Sequence, residues 1–132
     1  MDSRKSLFSR LNLVLQPEGS NLCGQACLAM IAGVTLEEAC LALPSTTGTR
    51  PSLIRKALLP FGWTLLPRRR AFTFGWHHLG RVQWERHRHH GHLFVVDANG
   101  TLLDPYFGVN PTWRSSAWVT SYYRVQPCPD PV

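Results

Sequence analysis

The order of the secondary-structure signals along the chain constrains its fold more than any other feature. Three helical segments come first. An Ala- and Leu-rich run that begins at Cys23 is ended by Gly33, and a second segment is opened by a capping box formed by Thr35 and Glu38. Residues 50–62 predict a third helix, with a proline in its first turn and a glycine after its end.

The second half of the chain is rich in β-branched and aromatic residues. Asn99-Gly100 lies between two apolar runs, which is a strong signal for a β-hairpin. Helices followed by strands predict an α+β domain, in which N-terminal helices pack on an antiparallel sheet. The segments with β-forming composition are residues 11–16, 63–67, 72–76, 92–105 and 117–125.

Length and composition predict a single domain over residues 1–132. The chain has 44% hydrophobic and 17% charged residues, which is typical of a globular protein. It contains no apolar run long enough to span a membrane and no signal-peptide pattern, so we expect no membrane partner. The cysteines are expected to be free thiols in a reducing compartment; they are Cys23, Cys27, Cys40 and Cys128.

The net charge of +6 raises the question of a nucleic-acid partner. The basic residues cluster at positions 68–70 and 81–90, without the spacing of a known nucleic-acid-binding motif. We therefore favour a solvated basic face, or one that binds an acidic protein, and do not expect nucleic acid as a partner.

Cys23 lies at the predicted start of the first helix, where the helix dipole and unpaired backbone N–H groups favour a thiolate. Such a cysteine is a candidate nucleophile. We expect Gly24 to let a substrate approach the Cys23 amide, which would donate one hydrogen bond to an oxyanion, and Gln16 to supply the second. Cys27, one helical turn later, is interpreted as a core thiol.

A thiolate nucleophile needs an imidazole base and a third group that orients the imidazole. His92 begins the strand before the predicted hairpin and Asp104 ends the strand after it, so the hairpin should bring their side chains together. Asp97 and Asn99 are rivals for the orienting role, but both lie near the turn, away from His92. A neighbouring imidazole would replace His92 if the register differed by two residues.

The histidine-rich segment 87–92 is a candidate zinc site. Zinc needs three or four converging ligands, whereas alternation along a strand brings only His90 and His92 to one face. We therefore expect no metal and no cofactor. His77 and His78 are expected at the surface or in a loop. The tryptophans are expected to be packing residues, with a substrate groove as the alternative for Trp76, Trp84 and Trp113.

Taken together, these motifs resemble the papain-like cysteine peptidases, in particular the C39 and C39-like branch. The shared features are a glutamine, a polar loop, a Cys-Gly pair that opens an apolar helix, and a strand, hairpin and Asp-Pro further on. The resemblance spans roughly residues 11–126. It implies the following roles: Cys23 is the nucleophile, His92 the general base and acid, Asp104 the orienting residue and Gln16 the oxyanion residue.

The resemblance implies a thiol-dependent hydrolase that cleaves a protein substrate through a Cys-His-Asp triad. The sequence has no transporter segments, so a role in leader processing is not expected. Compact domains of this branch resemble toxin modules of bacterial effectors. That likeness implies delivery by a dedicated secretion system, action in the cytoplasm of the target cell, and a cognate immunity protein, which would be acidic to match the basic charge.

Two alternatives remain open. A glutamine deamidase or transglutaminase would use the same triad, because a side-chain amide is attacked like a peptide bond. A non-catalytic binding module would use the basic face alone.

Overall fold

The helices occupy the first half of the chain and the strands the second. The computed structural model describes residues 11–45, 49–84, 87–112 and 118–128, without the side chains of residues 84, 87–90 and 118–120. Its helices are α1 (Cys23–Ala32), α2 (Leu36–Ala42) and α3 (Pro51–Leu58), which a 3₁₀ turn at Leu59–Phe61 extends.

Six strands form one sheet in the order β1-β6-β2-β3-β4-β5, and all neighbouring strands in it are antiparallel. The predicted α+β class with an antiparallel sheet is thus confirmed. The strands are β1 (Trp63–Leu65), β2 (His78–Trp84), β3 (His87–Val96), β4 (Leu102–Asp104), β5 (Gly108–Val109) and β6 (Trp118–Pro127).

The predicted helix boundaries have local causes. Gly33 ends α1 in the left-handed conformation, with φ of 72°, and its N–H donates to the carbonyl of Ala29. The capping box that opens α2 is present in full, because Glu38 donates its N–H to the Thr35 hydroxyl and accepts the Thr35 N–H in return.

Four strand assignments differ from the sequence-based ones, among them the short strand β5, which was not anticipated. Residues 11–16 form no strand, although the Gln16 N–H donates to the carbonyl of Pro105. Residues 72–76 also form no strand, and Phe74 and Gly75 lie in a turn. Strand β2 was not anticipated, because glycine, arginine and histidine within it obscure the period of two that identifies a strand.

The sheet is apolar on both faces. One face packs under the helices, with Leu79, Leu93 and Val95 among its buried residues, and α1 lies against β3 there. The other face carries Phe94 and Val96, and Phe72 from the loop before β2 packs against them. In the described part of the chain no single helix could cross a membrane; α1 and α2 reach the required length and hydropathy only together, across a bend of 107°.

Gly24, the second residue of α1, is buried against the segment that leads into α3. A Cβ at this position would collide with the methyl group of Thr49 and would lie 3.5 Å from Ile54. The structure thus adds a packing reason for a glycine here, and access for a substrate stays a prediction. The absent side chain lets α1 approach the entry to α3.

We predict that Gly24→Ala destabilises the protein by about 1–3 kcal/mol, the usual cost of overpacking a filled site. Thr49→Ala removes the methyl group that the new Cβ would strike. The double variant should therefore lose less free energy of unfolding than the two single variants lose when their losses are added. Urea unfolding of the four proteins measures this coupling, and strictly additive effects would show that Thr49 does not fill the space beside Gly24.

Candidate active site

Cys23 is the first residue of α1, at the point where the helix meets strand β3. Leu22 caps the helix without a side-chain hydrogen bond, and no acidic residue lies in the first turn. The helix dipole at this end is thus not compensated by a carboxylate. The backbone groups of Gly24 and of Leu93 in β3 form hydrogen bonds with the sulfur that favour its ionised form.

His92 lies in β3 between the sulfur and a buried carboxylate. Its imidazole forms a hydrogen bond with Cys23, and its Nε2 lies 2.7 Å from Oδ1 of Asp104. Strands β3 and β4 pair Val95 with Leu103, so Asp104 comes one residue after that pair and close to the His92 end of β3. The hairpin therefore brings a carboxylate to the imidazole, as the sequence predicts.

Asp104 is completely buried and makes several hydrogen bonds. Its Oδ1 accepts the backbone N–H groups of Tyr106 at 2.7 Å and of Phe107 at 3.1 Å, in addition to the contact with His92. These donors fix the carboxylate in the turn that follows β4. A buried carboxylate held in this way orients the imidazole, because its fixed Oδ1 determines where Nε2 must lie to form the hydrogen bond.

The pKa values of Cys23 and His92 both shift in the direction that favours their charged forms. Burial opposes ionisation of both, but hydrogen bonding to Asp104 and Cys23 raises the pKa of His92 to about 9. For the thiol, burial is outweighed by the His92 hydrogen bond and the backbone N–H groups, so the pKa of Cys23 is lowered. The pKa of Asp104 is also lowered, because its contacts with His92 and two N–H groups outweigh burial. The site therefore favours a thiolate beside an imidazolium.

Gln16 is brought to the same turn but is not shown in an oxyanion role. Its backbone N–H donates to the Pro105 carbonyl at 2.9 Å, which places it next to Asp104 in space. Its side-chain Nε2 donates to the Ser20 carbonyl at 2.9 Å and lies 3.4 Å from the Ser20 hydroxyl. The amide would have to release one of these contacts to stabilise an oxyanion, so this role stays a prediction.

The rivals for these roles lie elsewhere. Asp97 accepts the backbone N–H groups of Asn99 and Thr101, so it stabilises the hairpin turn, and Asn99 is exposed there. Cys27 is fully buried, and burial raises the pKa of its thiol well above the ordinary value. A buried neutral thiol agrees with the core role that the sequence predicts.

The expectation of a surface or loop position is wrong for His78, whereas His77 does lie in the loop before β2, although it is not at the surface. Both are buried, because His78 begins the central strand β2 and His77 precedes it. The backbone N–H of Ala98 donates to Nδ1 of His77 at 2.9 Å, and burial lowers the pKa of His78 to about 4. Both imidazoles are thus neutral structural groups at physiological pH.

One residue that supports the site was not predicted from the sequence. Gln25 is completely buried in the first turn of α1, and its side-chain amide donates to the carbonyls of Leu43 at 2.9 Å and Ser45 at 2.6 Å. These contacts fasten the segment after α2 to the helix that begins with Cys23. A polar residue inside the apolar run was the available signal, since buried amides need partners.

The candidate zinc segment and the candidate groove tryptophans lie partly outside the described residues. Among the described residues no group of three His, Cys, Asp or Glu side chains could hold a metal ion. The side chains of residues 87–90 and of Trp84 and the whole of Trp113 lie outside that part of the chain. Trp76 stacks under the Arg124 guanidinium, at 3.8 Å from the ring centroid, so it serves as a packing surface.

We predict that the rate of Cys23 alkylation by iodoacetamide has its midpoint at a lower pH than the rate for an ordinary thiol. Losing the imidazole in His92→Ala removes the interactions that lower the thiol pKa, so the midpoint should rise. Peptide mass mapping distinguishes Cys23 from the other three free cysteines. Asp97→Asn serves as the control, and an unchanged midpoint in His92→Ala would contradict the ion pair.

The whole arrangement of helices and sheet is similar to a solved structure. The crystal structure of a double glycine motif protease from an AMS/PCAT transporter, in complex with the leader peptide, matches with a TM-score of 0.64 and 18% sequence identity, over 96% of each chain. Neither the protein-family models nor the curated proteins contain a match. The chain therefore has the papain-like fold of a C39 peptidase domain, as the sequence resemblance implies.

Proposed function

We propose that this protein is a cysteine peptidase that cleaves a protein substrate through Cys23, His92 and Asp104. The observation that carries the proposal is the continuous hydrogen-bonded series from the Cys23 sulfur through the imidazole to the buried carboxylate. The fold shared with a double glycine motif protease supports the same reaction class. An inert core cysteine would not need an oriented imidazole or a lowered pKa.

The first half of the reaction forms a thioester. The Cys23 thiolate attacks the carbonyl carbon of the scissile bond, and the carbonyl oxygen becomes an oxyanion. The first-turn amide at Cys23 and the side chain of Gln16 are the donors proposed for this oxyanion. As the intermediate collapses, the C–N bond breaks and the His92 imidazolium gives its proton to the leaving amine.

The second half regenerates the enzyme. Neutral His92 takes a proton from water, whose oxygen attacks the thioester carbon. Collapse of this second intermediate breaks the C–S bond, releases the carboxylic acid and restores the thiolate beside the imidazolium. Asp104 keeps the ring in one orientation through both proton transfers, and the sum is hydrolysis of one peptide bond by one water.

We predict Cys23-dependent cleavage of peptides by the purified protein. The substrates are a tryptic digest of a bacterial proteome and a synthetic double-glycine leader peptide, since the structural neighbour is bound to its leader peptide. Cys23→Ala should abolish cleavage, and Asp104→Asn should lower kcat/KM by about 10²-fold or more, because the imidazole loses its orientation. Mass spectrometry of the products measures both.

Matched controls separate the triad from general damage. Cys40→Ala removes a partly exposed cysteine of α2, and Asp97→Asn changes the turn carboxylate; both should retain cleavage. Peptides that stay whole while a glutamine becomes glutamate would assign the site to deamidation instead. Equal cleavage by wild type and Cys23→Ala would refute the peptidase proposal.

We further propose that the peptidase acts as the toxin domain of a bacterial effector, delivered by a secretion system into the cytoplasm of a target cell. Support comes from the resemblance to effector toxin modules and from the net charge of +6, which suits an acidic immunity protein. A toxic peptidase requires such a partner in the producing cell.

Expression in the cytosol of a bacterium tests the toxin role. Wild type should arrest growth and generate discrete protein fragments, and Cys23→Ala should do neither, because the thiolate performs the cleavage. Growth curves and proteome-wide mapping of new N termini are the measurements, with Cys40→Ala as the active control. Arrest that persists in Cys23→Ala would assign the toxicity to the basic surface and not to catalysis.

A further inference from the structure

Two exposed aromatic side chains stand beside the imidazole of His92. Tyr106 is 51% exposed and Phe107 is 55% exposed, although both follow directly on the buried Asp104-Pro105 pair. Their rings pack edge to face with centroids 4.8 Å apart, and the Phe107 ring meets the His92 ring edge to face at 6.5 Å. We name Tyr106 and Phe107 the aromatic pair.

The aromatic pair is held in place by the same bonds that hold the proposed triad. The backbone N–H groups of Tyr106 and Phe107 both donate to Asp104, and the carbonyl of Pro105 accepts the N–H of Gln16. Single exposed aromatic residues are common on protein surfaces and need no explanation. Here, however, two of them are fixed against the imidazole and tied to the segment of Gln16.

The proton transfer determines which part of a substrate meets this pair. His92 can protonate the leaving amine only if that nitrogen comes within about 3 Å of the imidazole. The residue that follows the cleaved bond contains this nitrogen. Its side chain therefore lies within reach of the Phe107 ring, since the two ring centroids of Phe107 and His92 are 6.5 Å apart.

We propose that Tyr106 and Phe107 select an apolar side chain in the substrate residue that follows the cleaved bond. This inference rests on the proposed peptidase function. An apolar side chain would cover both rings and remove apolar surface from water. A carboxylate side chain would lose hydration against the rings, whose negative faces do not stabilise an anion.

The test begins with the cleavage sites in the proteome digest. Wild type should cut preferentially before apolar residues, and Phe107→Ala should lose this preference. Two synthetic peptides that differ only in leucine or serine after the cleaved bond then give the ratio of their kcat/KM values. Wild type should favour leucine by roughly tenfold, the usual selectivity of a small apolar contact, and Phe107→Ala should bring the ratio close to one.

Control variants distinguish substrate selection from support of His92. Phe74→Ala removes an aromatic residue that is 70% exposed and packs beside Gly100 at the opposite end of the hairpin; its ratio should match wild type. Phe107→Leu keeps an apolar wall and should retain most of the preference. Alkylation of Cys23 at the wild-type pH midpoint shows that each variant retains an intact site.

The outcomes separate the two proposals. Cys23-dependent cleavage without any preference for apolar residues would overturn the role of the aromatic pair and leave the peptidase function standing. A Phe107→Ala variant that loses the same factor on both peptides would also overturn it, because Phe107 would then only support His92. The absence of Cys23-dependent cleavage would remove both proposals.

Discussion

The contact between the start of α1 and strand β3 is the interaction on which the site depends. Burial of Leu93 and Val95 under α1 fixes the helix on the sheet, and His92 of the same strand forms a hydrogen bond with Cys23 at the start of that helix. The backbone of Leu93 meets the Cys23 sulfur directly. Packing of the core and placement of Cys23 and His92 therefore involve the same helix and the same strand.

This placement creates a partly buried ion pair between Cys23 and His92, whose contribution to stability depends on pH through both groups. The raised pKa of His92 contributes stability below its ordinary pKa, and the contribution is lost as pH rises through about 9. The lowered pKa of Cys23 acts in the opposite direction: its contribution is present above the ordinary thiol pKa and is lost as pH falls through the lowered value. The paired form persists between the two folded-state values. Asp104 and the backbone N–H groups offset the cost of burying these charges.

Local signals predict the helices and the His92 hairpin, whereas tertiary packing decides the rest. The capping box of α2 and the Asn99-Gly100 turn act within a few residues, so the sequence reveals them directly. Strand β2 and the burial of His78 depend on pairing with β3 and β6, which lie far along the chain. The packing of Gly24 against Thr49 was missed in the same way, since the two residues become neighbours only after folding.

The likeness to a double glycine motif protease at 18% identity shows that two chains can share this fold with few identical residues. An apolar helix on an antiparallel sheet tolerates many core sequences, provided that the hydrophobic pattern and the volume are kept. Under the proposed function, a substrate would meet the rim of the site, where the hydrophobic pattern of the core imposes no such limit. There the exposed rings of Tyr106 and Phe107 are held by the carboxylate that orients His92. A change in specificity at this rim can therefore keep the catalytic geometry, because backbone N–H groups, and not the aromatic side chains, hold Asp104.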